Sequence, residues 1–313
     1  MFMELDPEVT PTVYVQLFGS FNLHRDGVIL TAADMGGCKP RHILEILLMN
    51  FGTGVSKDRL IEILWGSRAP TGAVATLESY VCSLRRLIQP GRTRTGPLRT
   101  ANGGYVLDRC LVNSDLEKFH QLVREASASP PMTAYPLLRS ALDMSAAPLL
   151  GDEVVPEWAN EARLRLAEQR LELQIRAAET ASVLNLPAEA ITWAQAALSA
   201  DGLNERAWTA LVAGYELAGL YAEGLTAYDK CRRTFHRELA CSPGAALQAL
   251  YGRLLRRTGE VEGDLSEALE ALIYLGQRLR GTAIPTGRTT GGLNFGRAEK
   301  VLDSFLRRAQ QAG

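Results

Sequence analysis

The sequence predicts a mainly α chain with a small mixed α/β segment near its N-terminus. Three observations carry that class. Ala73 to Ile88 is amphipathic at helical spacing, with Val74, Leu77, Val81, Leu84 and Ile88 at i, i+3, i+7, i+10 and i+14. Short extended runs rich in β-branched and aromatic residues precede it, and a turn-centred pair follows it. From Glu157 onward the chain is dominated by strong helix formers, with small residues recurring at a fixed interval. A length of 313 residues accommodates two or three domains, and a hydrophobic share of 46% is enough to give each a core.

In chain order, Val13 to Leu17 alternates in polarity, Phe21 to Leu23 follows a Gly-Ser turn, and Val28 to Leu30 follows Asp26-Gly27. These three runs read as a small antiparallel sheet. Pro40 to Met49 reads as a helix with proline in its first turn and Ile43, Leu44, Leu47 and Leu48 inward. Ser56 is the expected N-cap of a second helix, with Leu60, Ile61, Leu64 and Trp65 on one face. Gly66 to Gly72 is a loop, and Ala73 to Ile88 is the third helix. Leu98 to Leu107 reads as a hairpin about Asn102-Gly103-Gly104.

Strands, three helices and a closing hairpin are the order of a winged helix-turn-helix. The outer face of the third helix carries Thr76, Ser79, Tyr80 and Ser83 and ends in Arg85-Arg86, with Glu78 its one acid. Short polar groups beside arginine suit a major groove, where the former read base edges and the latter neutralise phosphate. Glu78 would accept from a cytosine amine. Between Arg85 and Arg99 there are five arginines and no acid, a local basic patch in a chain whose net charge is −1. The bland alternative is a core helix with an ordinary wet face beside a basic loop. The candidate DNA-contacting residues are Lys39, Arg41, Ser56, Lys57, Thr76, Glu78, Ser79, Tyr80, Ser83, Arg85, Arg86, Arg99, Thr100, Asn102 and Tyr105.

These motifs resemble the Streptomyces antibiotic regulatory protein family, whose winged helix is similar to that of OmpR-type response regulators. The resemblance rests on Lys39-Pro40-Arg41; on Val55, Ser56, Leu60, Ile61, Leu64 and Trp65; on Thr76, Leu77, Tyr80, Val81, Leu84, Arg85 and Arg86; and on Gly104, Tyr105 and Leu107. Two positions depart from it. Cys82 and Ser83 stand where the family commonly has Ser-Arg, and Ala101 follows Thr100 where the wing commonly carries arginine. Each departure removes a cation from the expected interface.

Beyond Arg109 the expected order is a polar junction at Asn113 to Asp115, a helix capped by Asp115, a short helix over Tyr135 to Leu142, and a long helix from Glu157 to Leu184. Ala178, Ala181, Ala190 and Ala197 return about 34 residues later as Val212, Tyr215, Gly224 and Cys231, the tetratricopeptide period. Small residues at fixed positions let paired helices approach closely. The turn Glu238 to Gly244, followed by Leu247, resembles the last part of the family's bacterial transcriptional activation domain. A concave protein-binding array and a plain dimerisation module both remain open. After an acidic linker, Leu265 to Arg280 and Arg297 to Gln311 read as amphipathic helices.

The expected domains are thus an OmpR-type winged helix over 12–112, a TPR-like bacterial transcriptional activation domain over 113–257, and a linker with a helical extension over 258–313. The five cysteines show no CxxC pair and the four histidines no metal-ligand spacing, so no metal is expected and no disulfide frame. No phosphate-loop, metalloprotease, nucleophile-elbow or dinucleotide fingerprint occurs, so neither catalysis nor a cofactor is expected. An acidic, polar start and the lack of a long apolar run point to the cytoplasm and no membrane partner. The resemblance implies a transcriptional activator acting as a homodimer on promoter direct repeats in double-stranded DNA. It further implies contact with RNA polymerase holoenzyme near its sigma factor, through the Gly66 to Gly72 loop, at a secondary-metabolite or antibiotic gene cluster. The competing reading is a TPR-type adaptor whose winged helix contacts protein.

Overall fold

The structure, a computed structural model, describes residues 12–89, 96–152, 157–259 and 300. The chain divides into two compact units, 1–184 and 185–313.

In the first unit, β1 (Val13–Gln16), β2 (Asn22–Arg25) and β3 (Val28–Thr31) form the expected antiparallel meander. Val13, Val15 and Leu23 are buried, the inward half of the alternation. A fourth strand was not apparent from the sequence. β7 (Val112–Ser114) pairs in parallel with β1, giving the order β3-β2-β1-β7. Three residues of such composition carry no local strand signal; their pairing partner makes them a strand.

Three helices follow the meander. α1 (Cys38–Met49) buries Ile43, Leu44, Leu47 and Leu48 as its spacing predicts, and also encloses His42 and Glu45. β4 (Val55–Ser56) leads into α2 (Lys57–Trp65), and the Ser56 hydroxyl accepts from the Arg59 amide at 3.2 Å, the expected cap. α3 (Ala73–Ile88) has the bounds read from the sequence. Leu77, Val81, Leu84 and Ile88 are buried, but Val74 is 44% exposed and does not belong to the inward stripe. The hairpin of β5 (Leu98–Ala101) and β6 (Gly104–Leu107) turns at Asn102 and Gly103, whose φ values of 47° and 74° are those of a two-residue primed turn. β4 adds to it in the order β4-β6-β5. A Cβ at Gly104 would lie 2.1 Å from the Val55 carbonyl oxygen, so only glycine lets the short strand approach.

α4 (Asp115–Ala128), α5 (Pro131–Met144) and α6 (Glu157–Val183) complete this unit. α5 is longer than the sequence suggested, because Pro131 opens it at a first-turn position that needs no amide donor. The expected cap of α4 is corrected. Ser114 is the N-cap, its hydroxyl accepting from the Glu117 amide at 3.1 Å. Asp115 instead turns back to accept from the amides of Leu17 and Phe18, each at 2.9 Å, across 98 and 97 residues of sequence. The junction is tied again where Leu150 donates to the Leu17 carbonyl, Gly19 to that of Pro148, and Phe21 to the Asp152 carboxylate. Arg163 of α6 donates to the carbonyls of Leu149 and Leu150.

The second unit stacks α7 (Pro187–Ala200), α8 (Glu205–Leu217), α9 (Tyr221–Leu239) and a further helix over 245–259, α10. The small-residue period has a packing cause. Ala190, Ala194, Ala197, Val212 and Cys231 are buried, and a Cβ at Gly224 would meet Leu254 at 2.9 Å. Burial pushes the Cys231 thiol up to about 12. Pro187 starts α7, and the Glu205 carboxylate accepts from the Gly244 amide, fixing the turn before α10. The tail readings, Leu265 to Arg280 and Arg297 to Gln311, lie outside the described residues apart from Lys300.

Candidate nucleic-acid interface

α3 presents its outer face through a burial pattern, not a run of polar residues. With Leu77, Val81, Leu84 and Ile88 inward, 100° per residue places Ala75, Ser79, Cys82 and Arg86 directly opposite, and all four are exposed. Thr76, Tyr80 and Ser83 form one flank and are half-buried; Glu78 and Arg85 form the other. Ala75 and Cys82 did not stand out in the sequence. Counting Val74 in the apolar stripe had rotated the inferred outer face toward Thr76 and Tyr80.

Both flanks are braced from within. Tyr80 stacks on Trp65, with ring centroids 6.3 Å apart, and Lys39 lies over the same Trp65 ring while donating to the Leu64 carbonyl at the end of α2. On the other flank Lys57 donates to Glu78 at 2.6 Å, and that hydrogen bond raises the lysine's pKa. Arg85 donates to the Leu98 carbonyl at 3.2 Å and to the Thr100 hydroxyl at 2.8 Å, joining the wing to α3. Tyr105 is buried beneath this bracing, with Lys57 and Arg85 both over its ring. Its phenol is shifted up, chiefly by burial.

The remaining candidates divide. Ser56, Arg99, Thr100 and Asn102 are exposed, with Arg99 paired to Asp108 at 3.1 Å. Arg41 is turned inward and pairs with the buried Glu45, so the structure does not bring it to the α3 face. Arg92 and Arg94 of the basic patch lie outside the described residues. Among the described residues no group of three His, Cys, Asp or Glu side chains is placed to hold a metal. Nor is any helix of the described residues long and apolar enough to cross a membrane.

Comparison with known proteins decides what this arrangement belongs to. Residues 38–107 match the family "Transcriptional regulatory protein, C terminal", and residues 114–255 match the "Bacterial transcriptional activator domain". The regulatory protein DnrI of Streptomyces peucetius is 28% identical over 263 residues, covering 77% of this chain and 92% of DnrI. The chain thus carries a transcriptional-regulator C-terminal domain followed by a bacterial transcriptional activator domain, and is similar to the Streptomyces antibiotic regulatory proteins. AfsR of Streptomyces coelicolor is 31% identical over 77% of the chain, which spans 24% of AfsR. EmbR of Mycobacterium tuberculosis is 29% identical over 77% of the chain, which spans 63% of EmbR. The solved structure "Mycobacterium tuberculosis EmbR in complex with low affinity phosphopeptide" superposes with a TM-score of 0.67 at 25% identity, covering 90% of this chain and 74% of that one. The Cys82-Ser83 departure lies on the outward face and flank of α3, away from its buried stripe.

Proposed function

We propose that this regulator is a sequence-specific DNA-binding activator that works in the cytoplasm without catalysis or a cofactor. The observation that carries this reading is the exposed stripe Ala75, Ser79, Cys82 and Arg86 on a helix braced at both flanks. Ser79 and Ser83 would meet base edges, Thr76 and Tyr80 the adjoining strand, and Arg86 a phosphate, with Arg85, Lys39, Lys57 and Ser56 along the groove margin. Arg99, Thr100 and Asn102 of the wing would meet the backbone or the adjacent minor groove. Glu78 is available to a cytosine amine once Lys57 turns to phosphate.

A braced helix spends little ordering entropy on docking, so the polar contacts it makes appear as affinity. A single module buries a small area, which favours two copies on direct repeats. The seven residues Gly66 to Gly72 are exposed throughout, which suits them to touch RNA polymerase beside the promoter. The similarity to DnrI and AfsR supports a secondary-metabolite or antibiotic gene cluster as the target.

The test is fluorescence anisotropy on DNA from upstream of the gene and its neighbours, with the wild type and the Arg85→Ala/Arg86→Ala double variant across a salt series. The expected result is saturable binding that survives competitor DNA and weakens steeply with salt. The double variant should show a slope smaller by about one to two units. A folded protein with no specific binding at any of these promoters would favour the adaptor reading.

A further inference from the structure

Behind the helix-turn-helix, in the first compact unit, lies a hollow of about 340 Å³. It opens between α1 and α2 on one side and α4 and α6 on the other, and none of its described lining residues belongs to α3 or the wing. Ile46, Leu116, Leu149 and Leu166, all buried, form an apolar floor. Trp158 forms one wall, its ring held edge-on by His42 with centroids 5.8 Å apart. His120 and Gln169 supply polar groups in hydrogen-bond contact with one another. A second hollow of about 280 Å³ adjoins, sharing Met49, Asn50, Leu116 and His120.

The volume lies within the range of small-molecule sites, about 300 to 1,000 Å³. Its lining gives the chemistry. A fixed indole opposite aliphatic side chains suits a flat ring system. The charged groups of the described lining are Arg59 and Arg165 against Glu161. Each arginine is paired along its own helix, Arg59 with Glu62 at 2.7 Å and Arg165 with Glu161, and both pairs are exposed. Exposed pairs are worth little, so exchanging a glutamate for a ligand acid costs little, while a guanidinium binds an acid group through two parallel bonds. Burial holds His120 below its ordinary pKa, so the positive charge of the described lining comes from Arg59 and Arg165.

We propose that this hollow is a binding site for a small planar aromatic anion, its ring against Trp158 and the apolar floor and its acid group at Arg59 and Arg165. The site does not depend on the DNA-binding reading, and its test contains no DNA. Anilinonaphthalene sulfonate, an aromatic anion that brightens in apolar surroundings, is titrated into the full chain beside uncharged N-phenylnaphthylamine. The expected result is saturable binding of one sulfonate probe per chain. Ala162→Trp, which fills the hollow from α6, weakens both probes about tenfold or more. Arg165→Glu, at an exposed position that leaves folding intact, weakens the sulfonate about tenfold but the uncharged probe less than about twofold. Thermal melts followed by circular dichroism confirm that both variants are folded. Unsaturable binding, or a sulfonate affinity that Arg165→Glu leaves unchanged, overturns the proposal, and so does a folded Ala162→Trp chain that binds as the wild type does.

Discussion

Asp115 and Glu78 are both helical carboxylates in the first compact unit, and they do opposite work. Asp115 is 5% exposed and accepts from backbone amides of Leu17, Phe18 and its own neighbour Leu116. Burial pushes its pKa up while those amides pull it back. Its partners are backbone groups that cannot leave. Glu78 is exposed and meets one flexible lysine at 2.6 Å. The junction beneath the sheet is therefore fixed by groups with no alternative partner, while the α3 face is held by side chains able to exchange partners for a ligand. On the function proposed above, stability is concentrated in the first region and recognition in the second, and mutation should separate the two.

The largest effect is expected at the junction. Asp115→Asn keeps size but replaces one acceptor oxygen with a donor that faces backbone N–H groups. Unsatisfied buried amides cost about 1–3 kcal/mol each, so a loss of roughly 2–4 kcal/mol in unfolding free energy is expected from denaturant titration. The salt slope of DNA binding, measured where the variant is still folded, should stay as in the wild type. A stability change below about 0.5 kcal/mol would show that the carboxylate does not hold β1 to α4.

On the α3 face the two adjacent arginines should part company. Arg86 is exposed, and Arg86→Ala is expected to lower DNA affinity by about 1 kcal/mol and the salt slope by about one unit, with the melting temperature unchanged. Arg85 is committed to the Leu98 carbonyl and the Thr100 hydroxyl. Arg85→Ala should therefore weaken binding with little change in slope, while amide exchange speeds up along Thr100 to Tyr105. Equal slope changes in the two single variants would mean that Arg85 leaves the wing for a phosphate when DNA arrives.

The same contrast explains what could be read from the amino acids. α3 was legible to the residue because Leu77, Val81, Leu84 and Ile88 repeat within one helix, and the Asn102-Gly103 turn because its backbone demands those residues. The role of Asp115 was not legible. Its donors lie 97 and 98 residues away, and a lone Asp after Ser at a helix start looks like a cap. β4 and β7, two and three residues long, exist through distant partners. The exposure of Cys82 was hidden because Val74 satisfied the helical period without being buried. Arg85 read as a free cation because nothing local records the wing that occupies it. The α1/α2–α4/α6 hollow was invisible for the reason Asp115 was: its walls meet only after the chain has folded back on itself.

The smallest expected effect lies at one wall of that hollow and is a test by pH. His120 is shifted below its ordinary value, first by burial, against the opposing pull of Glu117 and the Gln169 hydrogen bond and with some help from Arg124. A histidine with a depressed folded pKa takes up its proton later than the unfolded chain does as pH falls. Its contribution to stability is then complete above about pH 6.5 and is lost progressively as pH drops toward the folded value. Melting temperatures between about pH 7.5 and 5 should therefore fall more steeply for the wild type than for His120→Gln, which keeps a hydrogen-bonding side chain but has no proton to gain. Parallel curves would mean that His120 is hydrated in both states. Since α3 contributes nothing to the wall, the same substitution should leave the salt slope of DNA binding unchanged, so a shift in that slope would join two regions that the geometry keeps apart.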